Sequence, residues 1–574
     1  MFHSTITASK MRHIIPFSFT DTNHSDLCDF DQLCSALDKS SDWKLSPVVN
    51  GEQDIYQYLT SSLTPVPNCK HNIGSSFLYQ KKRDGRILDL SYYVESRRSW
   101  MHFSIREAGL YLFRTGIGFF WYEFDFNKNS MTSTCDLIPF VNTFKELNML
   151  YRTRNIRLRK KVRFPLPDPS LIHDSSDFAP NTSSTFIPCM QNLHRESREV
   201  FLPSDWLLEN LDTAITQRDA NFQGKKRLYD YSVPSIFHDT KNKASNLCVT
   251  CDVYENFTMG SWIANLLADL PVRVTYMPSR KNDLTGRCNY VPDKALLFHY
   301  VLLGSSLDDH SLSDIAFHLT NGYGNTYFMN PETSGNMFFP FRGACWYATP
   351  EGCGYYIREQ KENSTFFSSN MLTKVINDYF LLYILILHQS YTLIHYAECI
   401  ENTLSADPND YFNHPDVCMK TLDTLLTKIN VFLVKSVNAS VSHIHHQNMF
   451  YEYLQKQYRI HENIHSLTIG ISSLEDIQRF LKQTQEEKEE KEIDERRQNE
   501  SDRLSKGLGY ISILAIFSAF ADSWSMLDFY LPQSWRARFP HLFDFLYLIL
   551  FLFIVSIIYK CYKIIRKHTK KKNQ

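Results

Sequence analysis

The chain lacks an excess of charge of either sign: 61 basic and 62 acidic side chains give a formal net charge of −1. Such a balance provides no general attraction to polyanions, so we expect no direct nucleic-acid binding. The segment Met1–Phe19 lacks a long apolar stretch and includes Lys10 and Arg12, so we do not expect a signal peptide. The thirteen cysteines lack a disulfide-framework spacing and are expected to be reduced thiols, as in the cytosol.

The two apolar runs that say most about the chain lie near its C-terminus. They predict a first transmembrane helix over residues 507–531 and a second over 542–560, joined by an outer loop over 532–541. Each run approaches the roughly 20 apolar residues that a helix needs to cross a bilayer. A basic tail over 561–574 follows the second run.

Basic residues flanking the two runs indicate their orientation. Arg496, Arg497, Arg503 and Lys506 precede the first run and lysines dominate the tail, whereas the loop region carries only two arginines. Because positive charge marks cytoplasmic flanks, we expect a multi-pass membrane protein with both termini in the cytoplasm.

The rest of the chain predicts a soluble α/β part followed by a helical part. Residues 1–369 are expected to form a cytoplasmic α/β sensor domain. Within it, Trp100–Phe126 has the aromatic and aliphatic runs on either side of a glycine turn that indicate a β-hairpin. Residues 370–472 are expected to be helical. The apolar centre of the helix predicted over Val375–Leu404 permits a buried core helix or a third span. His388, Gln389 and His395 favour the core helix.

Residues 473–506 predict a stalk helix. Ser473 and Asp476 have capping-box spacing, and Glu486–Arg503 is almost wholly polar, with pairs such as Glu492–Arg496 that support a solvated helix. Since no proline interrupts the pattern, we expect one helix from Ser473 to about Asp522.

Together these parts resemble the CorA-type two-span cation transporters over roughly residues 370–572. That family carries Tyr-Gly-Met-Asn at the end of its first span, followed by an aromatic residue and Pro. The matching stretch here is Trp524-Ser525-Met526-Leu527, with Tyr530 and Pro532 downstream. The resemblance implies an α/β domain, a long stalk, a two-helix transmembrane hairpin and a homopentamer around a central pore.

This filter motif is degenerate in the chain. In the family the Asn amide is thought to meet hydrated magnesium, and Leu527 offers no such oxygen. The change favours a subgroup, the CorA-like proteins encoded with type III CRISPR systems. Those resemble membrane effectors of antiviral defence, switched by an S-adenosylmethionine–AMP second messenger.

Two sets of candidate residues follow. Ser518, Asp522 and Ser525 fall at i, i+4 and i+7, so they are candidates for the pore-lining face, with wetting at a helix end as the alternative. A basic run is a weaker candidate for binding a phosphate-bearing ligand, with a solvated strand edge or a subunit contact as alternatives. It contains Arg152, Arg154, Arg157, Arg159, Lys160 and Arg163.

Two metal-like motifs are weaker. His461-Glu462-Asn463-Ile464-His465 matches the zinc-protease pattern HExxH, but a chain with 21 histidines produces such matches by chance. Cys248 and Cys251 form a lone CxxC, whereas structural zinc needs four ligands. We expect no metal site.

The sequence therefore favours an oligomeric CorA-like membrane effector or channel, without enzymatic activity, gated by a ligand bound to the cytoplasmic domain. One alternative is a divalent metal cation transporter with an altered selectivity filter. We expect no cofactor, except that a divalent cation would bind if this alternative holds. The second is a membrane-anchored zinc metallohydrolase using His461, Glu462 and His465.

Overall fold

The described part of the chain falls into two compact units, Met1–Ile477 and Gln478–Gln574. The computed structural model describes residues 4–20, 30–46, 54–56, 59, 63, 72–82, 85–94, 98–126, 132–147, 156–174, 185–193, 196–216, 229–238, 247–281, 290–304, 307–324, 326–327, 337–359, 365–404, 415–437, 440–530, 538, 541–542, 545–546, 548–549, 551–557, 559–560 and 563.

Strands and helices alternate through the first unit, as expected for a mixed α/β domain. In chain order the strands β1–β20 are Ile6–Thr20, Trp43–Leu45, Gly74–Tyr79, Leu88–Val94, Ser99–Phe113, Ile117–Phe126, Ile156–Pro165, His173–Asp174, Phe186–Leu193, Glu196–Pro203, Tyr229–Tyr231, Ser235–His238, Leu247–Asn256, Arg273–Tyr276, Ser279–Lys281, Tyr290–Pro292, Leu296–Leu303, Met337–Phe341, Ala344–Thr349 and Gly352–Arg358. The helices α1–α9 are Phe30–Lys39, Thr134–Lys145, Ser204–Thr216, Met259–Leu267, Asp309–Asn321, Phe380–Leu404, Pro415–Ser436, His445–Gln457 and Ile460–Tyr530.

The main sheet is built around β1. This strand pairs antiparallel with β6 on one side and with β17 on the other, so Met11 faces Phe124 and His299 across the two ladders. Beyond β6 the order continues through β5, β3 and β2, and beyond β17 through β20, β19 and β18. The β5–β6 hairpin, turning at Gly116 with φ 85°, confirms the hairpin predicted within Trp100–Phe126.

Helices cover both faces of this sheet because side chains alternate between them. One face packs in a large apolar core with residues of α1, α2, α4 and α5. The other contacts α6 and α8, where Phe298 stacks on Tyr383 at 5.4 Å and Trp346 lies 4.1 Å from Phe450 between ring centroids. The main sheet is therefore the middle layer of three.

A second apolar core lies in the continuation of the sheet through β4, β7 and β13. Strands β9, β10 and β12 complete this part, and β12 runs parallel to β9. Its core includes Val162, Val200, Leu207 and Val249, so α3 packs there against the strands.

Helix α6 is the core helix that the sequence favoured over a third membrane span. Two π-helical segments, Phe366–Met371 and Val375–Tyr379, lead into it. Within the described residues, Phe366–Thr403 is the one helix long and apolar enough to cross a membrane, yet 78% of its apolar window is buried inside the protein. Parts of the predicted spans 507–531 and 542–560 lie outside the described residues, so this statement does not cover them.

The helical character predicted from about residue 370 is confirmed, but some predicted boundaries were wrong. After α6, the region predicted to be helical up to residue 472 is divided among α7, α8 and the start of α9, with a break at Arg459, whose φ is 50°. Ser473 does not cap a helix: it lies inside α9 and its hydroxyl donates to the carbonyl oxygen of Ile469 at 3.2 Å. Helix α9 instead starts at Ile460.

Helix α9 is continuous for 71 residues and spans the residues predicted as stalk and first apolar run. It is about 105 Å long at a rise of about 1.5 Å per residue. Farther along, the described residues between 541 and 563 are also helical. The predicted outer loop and basic tail lie almost wholly outside the described residues.

Candidate functional site

The C-terminal part of α9 and the helical residues after it expose large apolar side chains. In α9, Leu504, Leu508, Tyr510, Ile511, Leu514 and Phe517 are each 50–71% exposed. Beyond α9 the exposed side chains include Leu542, Phe545, Leu546, Leu548, Phe551, Leu552, Phe553 and Tyr559. A folded chain in water rarely leaves such a contiguous apolar surface open, so a lipid or protein environment is expected to cover it.

The N-terminal part of α9 differs from this segment in its burial. Leu467, Leu474 and Leu481 are at most 3% exposed. Residues 486–500 are exposed and mainly charged, with Arg496 4.0 Å from Glu492 in the ion pair expected at i,i+4 spacing. Helix α9 thus passes from a buried stripe through a solvated stretch to an apolar surface.

The candidate pore-lining residues lie on this apolar part of α9. Ser518, Asp522 and Ser525 are exposed in the single chain, and the helical spacing places them on one face. The Ser525 hydroxyl donates to the backbone carbonyl oxygen of Asp522 at 2.9 Å. The Asp522 carboxylate is the charged group of this face. The backbone of the motif Trp524–Leu527 is helical and Met526 is 64% exposed, while the side chains of Trp524 and Leu527 lie outside the description.

The basic run does not form one cationic face. Strand β7 carries Arg157, Arg159 and Arg163 on one side, whereas Lys160 shares the parity of Leu158 and Val162 and lies on the side of the apolar cores. Lys160 is held there by Glu255 at 2.9 Å. Arg152 and Arg154 lie outside the described residues.

Acidic and aromatic groups surround the arginines of β7. Arg159 donates to Asp252 at 2.7 Å, and Arg157 lies 3.9 Å from Asp230. Arg163 lies over the Phe237 ring at 4.6 Å. The strand pairs with β13 along its length and, within the described residues, with β4 over Ile156–Leu158, so its first three residues do not lie at a sheet edge.

A row of rings lies beside these arginines. Sequence patterns did not indicate it, because Trp100 and His102 lie on β5 whereas Tyr254 is far along the chain on β13. Trp100 of β5 and Tyr254 of β13 stack at 5.7 Å between ring centroids with an interplanar angle of 13°. His102 lies 6.3 Å from Tyr254 at 10°. We call Trp100, Tyr254 and His102 the aromatic row.

The metal-like motifs gain no support from the geometry. His461, Glu462 and His465 are exposed at the start of α9, and within the described part of the chain no three His, Cys, Asp or Glu side chains come together as metal ligands. Cys248 and Cys251 are buried in β13, and burial raises the pKa of the Cys251 thiol to about 12. A protonated, enclosed thiol is a poor metal ligand or nucleophile.

No family model matches the chain, and no curated protein or solved structure is similar to it.

Proposed function

We propose that this chain is a CorA-like oligomeric membrane effector in which ligand binding to the large α/β domain controls ion flux or membrane permeability. The observation that carries the proposal is the apolar surface of two helical segments, whose described large apolar side chains are exposed between Leu504 and Met526 and again between Leu542 and Tyr559. Lipid is the environment whose chemistry matches such a surface. A bacterial plasma membrane, with both termini in the cytoplasm, is the proposed location.

The lengths of these segments suit a bilayer. Residues 507–530 of α9 extend about 36 Å, and 542–560 would extend about 28 Å as one helix, against a hydrocarbon core of about 30 Å. The glutamate- and arginine-rich stretch before Leu504 stays in water. The transition from charged to apolar side chains along α9 therefore marks the proposed membrane surface.

The polar face of the first span requires partners. An ionised Asp522 facing lipid is costly, so carboxylates at this depth usually face a bundle interior or a water-filled path. One two-helix hairpin encloses no such path, whereas several copies can place Ser518, Asp522 and Ser525 around a common axis. A homo-oligomer follows from this requirement, and the resemblance to CorA proteins suggests a pentamer.

Helix α9 provides a physical route for control. It begins in the unit that contains the α/β domain and continues without a break into the apolar segment. A ligand changes the permeability only if it binds the open and closed arrangements with different affinities. Helix α9 is the element through which such a difference would reach the apolar segment.

The test is flux through liposomes that contain the purified full-length chain. We expect release of a trapped small ion on addition of a cytosolic small-molecule extract, and less release without the extract. Ion selectivity in the same assay identifies a divalent cation transporter if Mg²⁺, Co²⁺ or Ni²⁺ moves while monovalent ions do not. Liposomes that release no ion under either condition would refute the proposal.

Replacing Asp522 with Asn is expected to lower the preference for cations over anions. Even in bulk water a charge about 4 Å from a passing ion contributes about 1 kcal/mol, which corresponds to roughly a fivefold change in the permeability ratio. The measurement is the reversal potential in asymmetric salt. Asp494→Asn, in the solvated stretch of the same helix, is the matched control and should leave the ratio unchanged. Equal ratios for Asp522→Asn and the unaltered chain would place Asp522 away from the ion path.

A further inference from the structure

The aromatic row and the arginines of β7 share one face of the sheet. In β5, Met101, Phe103 and Ile105 point into the apolar core, so Trp100 and His102 lie on the opposite side. In β13, Val253 and Cys251 belong to the second core, so Tyr254 and Asp252 lie on that same outer side. The alternation in β7 adds Arg157 and Arg159.

Solvent reaches this face. Trp100, His102, Tyr254, Arg157 and Arg159 are all half-buried, so each is packed enough to be held and open enough to touch a ligand. Parallel rings on a sheet surface are a platform on which a further planar ring can stack, and such stacking tolerates any base.

The groups of this face are fixed in position. Asp252 accepts a hydrogen bond from the Arg159 guanidinium at 2.7 Å and holds it in place. A guanidinium has five N–H donors in a planar fork, so the carboxylate leaves donors that match a phosphate. Ser91 Oγ lies 2.7 Å from His102 Nδ1 and fixes that ring. Burial and, next, the Arg159 charge lower the pKa of His102, so the imidazole is neutral at pH 7.

We propose that this face binds the nucleotide moiety of a ligand, with its base stacked on the aromatic row and its phosphate at Arg157 and Arg159. A simple phosphate would make no use of the three rings, and a neutral aromatic compound would make no use of the arginines. A nucleotide uses both. The inference deepens the proposed function, because binding here would be the event that controls the membrane segment.

The source of that nucleotide is either a free small molecule or a single-stranded nucleic acid, and the two share the chemistry of base and phosphate. The test measures binding to the full-length chain in detergent by calorimetry, with ADP, adenosine, inorganic pyrophosphate and a five-residue oligoadenylate as probes. We expect ADP to bind more tightly than adenosine or pyrophosphate. If the oligoadenylate binds more tightly than ADP, the site exists and its ligand is a single-stranded nucleic acid. If ADP binds more tightly, the site exists and its ligand is a free nucleotide.

Two variants separate the base from the phosphate. Trp100→Ala should weaken the binding of ADP and of adenosine alike by about tenfold, because the stacking of the base is lost. Trp100→Phe should restore most of the affinity. Arg157→Ala should weaken ADP by about tenfold through loss of a charge-assisted contact but leave adenosine unchanged. Tyr290→Ala, an aromatic removed from an exposed position of β16, is the control and should bind ADP normally.

The proposal is overturned if neither ADP nor the oligoadenylate binds, or if Trp100→Ala binds both probes as the unaltered chain does while its thermal unfolding is normal. These results are independent of flux. Nucleotide binding without any ion release would refute the proposed function but leave the binding site standing. Ion release without nucleotide binding would refute the binding site but leave the proposed function standing.

Discussion

Lowering the pH from 7 to 4 is expected to destabilise the unit Met1–Ile477 by several kcal/mol, because buried imidazoles must stay neutral there. His299 and His388 are at most 1% exposed, and burial lowers the pKa of each to about 3. Burial and, next, the neighbouring His299 also lower the pKa of His13. Neither ring nitrogen of His299 has a hydrogen-bond partner among the described residues.

The sign follows from proton uptake. Between pH 6.5 and 3 the unfolded chain binds protons at these imidazoles and the folded chain does not, so stability falls as the pH falls through this window. Each imidazole with such a shift contributes about 3 kcal/mol of destabilisation at pH 4. Above pH 6.5 these imidazoles are neutral in both the folded and the unfolded chain, so they cause no loss of stability there.

Urea unfolding of the full-length chain in detergent at pH 7, 5 and 4 measures this effect. His299→Leu should leave the free energy of unfolding at pH 7 nearly unchanged and recover about 3 kcal/mol at pH 4, since it removes one group that the unfolded chain protonates. His310→Gln, at an imidazole whose side chain is 76% exposed, is the control and should keep the full pH dependence. An unchanged pH dependence in His299→Leu would contradict the prediction.

Replacing Glu123 with Leu is expected to destabilise the same unit by about 3–5 kcal/mol, because it leaves a buried arginine uncompensated. Arg12 Nε donates to Glu123 at 2.9 Å, and both side chains are 8% exposed. Burial opposes ionisation of Glu123, but the charges of Arg12 and Lys10 outweigh it and lower the pKa of the carboxyl group.

Two comparisons isolate this ion pair. Glu107→Leu removes a 48% exposed carboxylate 4.0 Å from Arg12 and should cost no more than about 1 kcal/mol. The double variant Arg12→Leu with Glu123→Leu should regain part of the loss, because it removes both buried charges. If the Glu123→Leu and Glu107→Leu variants had the same free energy of unfolding, the stabilising role of the Arg12–Glu123 pair would be contradicted.

The Arg12–Glu123 pair also shows why β1 could not be predicted from the sequence. Lys10, Arg12 and His13 make Ile6–Thr20 read as a polar N-terminal segment, yet this strand is the centre of the main sheet. Its charges are compensated by Glu123 and by the carbonyl oxygen of Ile376, to which Arg12 donates at 2.6 Å. Those partners are more than 100 residues away, so no local pattern contains them.

Local signals explain the parts that were predicted. The β5–β6 hairpin was indicated by aromatic and aliphatic runs on either side of a glycine turn, which the structure forms at Gly116. The core helix α6 was indicated by an apolar run interrupted by His388 and Gln389. The helix start predicted at Ser473 was wrong because a serine inside a helix can donate its hydroxyl to a carbonyl oxygen of the preceding turn, here that of Ile469.

The candidate site was predictable only in part. The polar face Ser518, Asp522 and Ser525 depends on helical spacing alone, which the sequence contains. The division of the basic run, with Lys160 turned toward Glu255, depends on the pairing of β7 with β13. The aromatic row likewise requires strands β5 and β13 to approach each other, and their sequence separation hides it.

The proposed effector function depends on lipid covering residues 507–560, and extraction of isolated membranes with alkaline carbonate tests this most directly. The full-length chain should stay in the membrane pellet, whereas a chain ending at Lys506 should appear in the supernatant. Recovery of the full-length chain in the supernatant would contradict the membrane placement and, with it, the proposed effector function.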